Sequence, residues 1–138
     1  MAAAPAFIKP NIHEFCDTFG VKAGNIAELD AAARKVVKQY GLEFICVSKG
    51  ADGAYISDGR EAFFCTNPPV EVRSIQGAGD SVVAGICLAL EKSLPLPEIL
   101  RMGIACAAAS ISREGTLLCT PELVQDMLAR PMELVKLG

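Results

Sequence analysis

An excess of positive charge is missing from this chain: 13 Lys and Arg stand against 16 Asp and Glu, for a formal net charge of −3. That leaves no sequence-wide basic footprint for nucleic acid or an anionic membrane, so any anionic ligand must be held by local geometry. Long hydrophobic runs are absent too. The most apolar stretch, residues 82–90, is about nine residues long against the roughly 20 that a membrane-spanning helix needs. The start, Met1-Ala-Ala-Ala-Pro5-Ala-Phe7, has neither a basic n-region nor a sufficient apolar h-region and does not read as a signal peptide. A cytoplasmic protein with no membrane and no nucleic-acid partner is expected. Cysteine is present six times but never as a CxxC pair, and His13 is the single imidazole. Zinc sites need closely paired ligands, which this spread of thiols does not offer. Cys46, Cys87 and Cys106 sit inside apolar periodic runs and are expected as small buried hydrophobes in a reducing compartment.

What is present is an ordinary globular composition, 51% hydrophobic and 21% charged over 138 residues, enough for one core. Ala6-Phe-Ile-Lys-Pro10 reads as a strand ending in a loop at Asn11, followed by a helix over about 12–19 that Gly20 stops. Glu28-Leu-Asp-Ala-Ala-Ala-Arg-Lys-Val-Val-Lys-Gln-Tyr40 repeats apolar residues at helical spacing through Leu29, Ala32, Val36 and Val37, with Gly41 as C-cap. Phe44-Ile-Cys-Val-Ser48 has the continuous apolar character of a strand buried on both faces. Residues 54–57 and 61–65 read as a hairpin across Asp58-Gly59, and 70–72 as another short strand. Helices are expected over 80–92, 97–112 and 121–130, with Pro97 and Pro121 in first turns, where a missing N–H costs little. Nothing divides the chain by composition or repeat, so it reads as one α/β unit over 1–138.

Three loops could carry chemistry. In Ser74-Ile-Gln-Gly77-Ala78-Gly79-Asp80-Ser81, a glycine turn feeds an apolar helix, so backbone N–H groups can face an anion. Asp80 beside a bound phosphate could accept the proton of an attacking hydroxyl; Asp and Ser also simply cap helices there. The turn is neither a Walker loop nor a dinucleotide fingerprint, lacking Gly-Lys-Ser/Thr and the third glycine in place. Ser48-Lys-Gly50-Ala-Asp-Gly53 follows a buried strand, where open α/β sheets bind nucleotides, but it also suits a tight turn. Asn11 and Glu14 lie three apart on a helix's first turn. They either hold a hydrated magnesium ion through waters or form a capping box. His13 between them reads as a surface residue.

In this order, Lys9-Pro10-Asn11-x-x-Glu14, Ser48-x-Gly50-x-x-Gly53 and Gly77-Ala78-Gly79-Asp80-Ser81 resemble the carboxyl-terminal half of a ribokinase-like (PfkB) sugar kinase. The Lys-Pro-Asn form and the continuation to Gly85 are most similar to its 1-phosphofructokinase and tagatose-6-phosphate kinase branch. The resemblance implies a three-layer αβα, Rossmann-like sheet flanked by helices, and ATP-dependent phosphoryl transfer to a hydroxyl of a phosphorylated ketohexose. It implies Asp80 as catalytic base and the amides of Gly77, Ala78 and Gly79 as anion hole. Asn11 and Glu14 would organise Mg2+ and the ATP phosphates, and Ser48, Gly50 and Gly53 would line the nucleotide. Ile104 and Ala107 would wall the adenine, unless they only pack the core. Two positions depart from the family: it usually carries Thr or a similar residue where Ile75 stands, so a hydroxyl is lost there, and Thr or Val where Gln76 stands.

Similar kinases are roughly twice as long, so the resemblance also implies a piece from which the amino-terminal half, the sugar-recognising residues and the β lid are missing. A sheet cut in mid-order exposes an apolar edge, which points to self-association or a complementary amino-terminal half as partner. The alternative of another class is a non-catalytic nucleotide-binding or interaction module.

Overall fold

The 3.6-residue spacing in the first two helices, Ile12–Phe19 and Ile26–Tyr40, sorts their buried side chains from their exposed ones, whereas strands such as Phe44–Ser48 and Ala54–Ser57 are buried on both faces. The computed structural model describes residues 7–49, 52–67, 78–111, 121–130 and 132–137. The chain runs β1 (Phe7–Ile8), α1 (Ile12–Phe19), α2 (Ile26–Tyr40), β2 (Phe44–Ser48), β3 (Ala54–Ser57), β4 (Ala62–Cys65), α3 (Ala78–Glu91), α4 (Leu96–Ile111), α5 (Pro121–Ala129) and β5 (Leu134–Leu137). The strands form one sheet in the order β1-β2-β3-β4-β5. β1 is parallel to β2, with Phe7 opposite Phe44 and Ile8 opposite Ile45, and β2 is antiparallel to β3. This is the mixed α/β fold expected from the sequence. The chain divides into two compact units, Met1–Phe64 with Val135–Gly138, and Cys65–Leu134.

In the first unit, the strand period of two puts Ile45 and Val47 of β2 on the face that meets Phe15 of α1 and Leu29, Ala33, Val36 and Val37 of α2. Phe44 and Cys46 point the other way and are buried as well, as the unbroken apolar run required. The Phe44 ring stacks on Phe7 with centroids 4.8 Å apart. Helix α2 starts at Ile26, earlier than its apolar repeat suggested, because the Asn25 side chain caps it by accepting from the Glu28 N–H. Its buried stripe runs through Ala33, with Ala32 only half-buried. Both α1 and α2 end on left-handed glycines, Gly20 and Gly41, whose N–H groups close back on the helix.

The Asp58-Gly59 turn joins β3 to β4 as expected. Asp58 Oδ1 accepts the N–H groups of Arg60 and Glu61, and buried Ser57 Oγ donates to the Glu61 carbonyl. One polar network ties this unit together. The buried Tyr55 hydroxyl donates to Asp30 Oδ1 at 2.6 Å, and Arg34 Nε donates to the same oxygen at 2.8 Å. The Arg34 fork also donates to the carbonyls of Arg60 and Leu137, which holds β5 against α2. Strand β5 itself was not anticipated. Its side chains are largely exposed, so it carries no apolar alternation for a sequence reading to catch.

The second unit is helical. Residues 102–106, 108 and 109 of α4 are all buried, and four of these seven are Gly or Ala, which suits a helix packed on several sides. Arg101 donates to Glu98 on its own helix and to the Leu128 carbonyl of α5. On α3, Ile86 and Ala89 are buried three apart. Cys87 lies about 100° round from Ile86 and is exposed, against the expectation that it would be a buried hydrophobe. Cys46 and Cys106 are buried as expected.

Candidate functional site

The carboxyl ends of β1 and β2 bring the first two motifs together in the first unit. Past β1 the ladder continues as a single parallel bridge between Asn11 and Ser48, with the Ser48 N–H donating to the Pro10 carbonyl at 3.1 Å. Asn11 and Ser48, far apart in sequence, therefore share one edge beyond the strands, where open α/β sheets place ligands. Asn11 is also the N-cap of α1. Its Oδ1 accepts the Glu14 N–H at 2.8 Å, and Glu14 Oε1 accepts the Asn11 N–H at 2.9 Å, a complete capping box. The capping reading of this pair is thus realised, and one Glu14 oxygen is committed to it. Both side chains remain exposed, as does His13, the surface residue it was expected to be.

Beyond Ser48 the chain folds back on itself. The Lys49 N–H donates to the Gly53 carbonyl at 2.8 Å and the Asp52 N–H to the Lys49 carbonyl at 3.1 Å. Gly53 is buried with φ +126°, where an L side chain is strained. The second motif is therefore a tight turn that needs glycine at its last position. Gly50 lies outside the described residues.

In the second unit, α3 is described from Ala78, so Ala78, Gly79 and Asp80 of the third motif lie on this helix. Gly77, residues 74–76 and the strand expected at 70–72 lie outside the described residues. Ile104 and Ala107, three apart on α4, share a face; Ile104 is buried and Ala107 half-buried.

Titration does not single out a nucleophile. Burial pushes the Cys46 thiol up to about 12, only partly offset by the Lys9 charge, so it stays protonated at neutral pH. Burial likewise raises Cys65. Among the described residues no three His, Cys, Asp or Glu side chains cluster as metal ligands. Exposed Asn11 and Glu14 nonetheless suit a magnesium ion that keeps most of its waters and takes its other oxygens from a phosphate chain. Sequence reasoning missed the Asn25 cap and the Tyr55–Asp30–Arg34 network. The Asn-x-x-Glu spacing at Asn25 and Glu28, which repeats that of Asn11 and Glu14, could have revealed the first.

Residues 1–123 match the family model described as pfkB family carbohydrate kinase. The chain is 36% identical over 124 residues to the 1-phosphofructokinase of Bacillus subtilis, covering 90% of this chain and 40% of that protein. Among solved structures, phosphofructokinase-2 from Escherichia coli in complex with fructose-6-phosphate superposes with a TM-score of 0.79 at 29% identity, over 90% of this chain and 39% of that one. Arabidopsis thaliana ribokinase, complexed with ribose and ATP, shares the fold with a TM-score of 0.81 at 21% identity, over 91% and 41%. The chain thus spans about 40% of the length of the relatives it matches. Among the described residues, no helix is long and apolar enough to cross a membrane.

Proposed function

Because this chain belongs to the pfkB family of carbohydrate kinases, we propose that it is the nucleotide-binding, catalytic-base part of an ATP-dependent sugar phosphate kinase. The observation that carries the reading is the Asn11–Ser48 junction beyond the carboxyl ends of β1 and β2, which brings the first two motifs to one edge. In the first unit, Asn11 and Glu14 would orient a hydrated Mg2+, and Ser48, Gly50 and Gly53 would line the nucleotide. In the second, the amides of Gly77, Ala78 and Gly79 would take the charge of the transferring phosphoryl group, and Ile104 and Ala107 would contact adenine. Bound magnesium would neutralise phosphate charge.

The Asp80 carboxylate would accept the proton of the sugar hydroxyl as that oxygen bonds to the γ-phosphorus and the bond to the β-phosphate oxygen breaks, releasing ADP. The parent reaction we favour converts fructose 1-phosphate to fructose 1,6-bisphosphate, on the 36% identity to a 1-phosphofructokinase. A second reading, a 6-phosphate ketohexose as acceptor, is favoured by the 29% identity to a structure holding fructose-6-phosphate. Phosphoryl transfer depends on positioning, so turnover would need the sugar-binding half supplied as a complementary partner or within a longer chain; the cytoplasm is the proposed site of action.

Calorimetric titration of Mg·ATP into the parent chain, Gly79→Val and Asp80→Ala tests this. Binding kept in Asp80→Ala and lost in Gly79→Val is expected, since Asp80 would act on the sugar and the glycine turn on phosphate. No binding by a folded parent chain refutes the reading. Turnover of fructose 1-phosphate against fructose 6-phosphate, with the complementary half of a relative added, separates the two substrates.

A further inference from the structure

Helix α2 turns Leu29, Ala33, Val36 and Val37 inward, and its opposite face carries Ala31, Arg34, Lys35, Lys38 and Gln39 at helical spacing. These five residues line an open cavity of about 870 Å3 whose three charges are all positive. Residues three and four apart on a helix are neighbours, so Lys38 stands next to both Lys35 and Arg34, an arrangement that disfavours the helix until a negative charge joins them. A solvated face would normally interleave acids at these spacings. The positions three and four away from Lys35 and Lys38 on this chain are instead Ala31, Ala32, Arg34, Gln39, Gly41 and Leu42, besides the two lysines themselves. Lys38 suits the negative end of the helix dipole, being in the last turn, but Lys35 lies a turn further in.

The acids nearby are engaged elsewhere. Asp30 accepts from Arg34 Nε and the Tyr55 hydroxyl, Glu28 Oε1 from Asn25 Nδ2 at 3.1 Å, and Asp58 Oδ1 from the Arg60 and Glu61 N–H groups. Glu61 pairs with Lys136 at 3.4 Å. Among the described residues, Lys35 and Lys38 form no ion pair. Arg34 is held in place with its charge shared by Asp30, so the two lysines supply the net charge of the cavity. A Cβ on Gly59 would lie 3.7 Å from Lys38 Cγ, which puts Lys38 against the β3–β4 turn. Ser57 pairs with Ile45 and Ala54 with Ser48, so that turn lies at the far end of β2 from the Asn11–Ser48 junction. We infer that this face of α2 binds a small phosphate-bearing anion, at a site separate from the one assigned to the nucleotide. A phosphate monoester carries about −1.5 to −2 charges in one compact group at neutral pH, which matches two lysines one turn apart; a single carboxylate carries only one. The site stands independently of the kinase reading.

The test follows backbone amide NMR shifts as the chain is titrated, without magnesium, with inorganic tripolyphosphate and with fructose 1,6-bisphosphate. Saturable shifts at the amides of residues 31–39 are expected, and the tighter of the two probes tells whether the phosphate is borne on a polyphosphate chain or on a sugar. Lys35→Gln combined with Lys38→Gln is expected to weaken that binding by about tenfold or more. Lys22→Gln combined with Lys92→Gln removes the same charge from exposed positions elsewhere and is expected to bind as the parent does. All four positions are exposed, so both pairs should fold, which far-UV circular dichroism checks. Absence of saturable shifts on α2 with both probes, or equal weakening by the two pairs, overturns the site. Shifts confined to the amides of Asn11, Ser48 and Gly79 overturn it as well and leave the kinase reading standing.

Discussion

Tyr55→Phe removes one oxygen atom from the core of the first unit and leaves the ring's packing in place. Tyr55 is fully buried, and its hydroxyl donates at 2.6 Å to Asp30 Oδ1, the oxygen that Arg34 Nε also holds at 2.8 Å. A hydrogen bond to a charged acceptor contributes about 1.5–3 kcal/mol net. The Asp30 and Arg34 side chains keep 19% and 21% of their exposure, so water screens the network and the lower end, about 1.5 kcal/mol, applies. For a chain of this length that is a fall of roughly 5 °C in Tm. Asp30→Ala should cost more, about 3 kcal/mol, because the Tyr55 hydroxyl loses its carboxylate and Arg34 its ion pair, keeping only the carbonyls of Arg60 and Leu137. The chain has no Trp, so urea unfolding is best followed by far-UV circular dichroism. A Tyr55→Phe chain within about 0.3 kcal/mol of the parent, or an Asp30→Ala chain no weaker than Tyr55→Phe, would refute the network as a source of stability.

Alkali should destabilise the fold. Burial raises the Cys46 thiol from 9.0 to about 12 and also raises Tyr55 and Cys65, so the unfolded chain gives up protons that the folded one retains. Stability is then intact below about pH 9 and falls as pH rises toward about 12, which urea midpoints measured from pH 8 upward would show; a flat profile contradicts it. Thiol labelling should follow burial, with exposed Cys87 modified in the native chain and Cys46 only on unfolding, and mass spectrometry of timed samples gives the order. Asn11→Ala breaks the capping box and should cost about 1 kcal/mol in urea unfolding; no change would mean that α1 is held by packing alone.

Strand β2, the start of α1 and the carboxyl-terminal ends of α1 and α2 could be read directly because their causes are local. A continuous apolar run, a glycine that takes the left-handed cap and an Asn three residues before Glu act within one or two turns of chain. The three loop motifs were legible for the same reason, as short patterns of glycine and polar residues, and in their order they pointed to the family that residues 1–123 match. Where these signals thinned, tertiary contacts took over. Strand β5 exposes three of its four side chains and so imprints no alternation, and besides its place in the sheet it is held by an arginine more than a hundred residues earlier in the chain. Cys87 sits in an apolar run, yet the phase of α3 turns it outward, since hydropathy averaged along a run does not say which side of a helix is covered. Nor does a sequence distinguish Gly85, where an added Cβ would lie 2.6 Å from a backbone carbonyl oxygen, from Gly103, where its nearest neighbours would be side-chain carbons at 3.4 Å. Composition and local pattern determined which elements form and which family they belong to. Only the packing of one element on another decided which buried positions admit no further atom, because that depends on atoms brought together from distant parts of the chain.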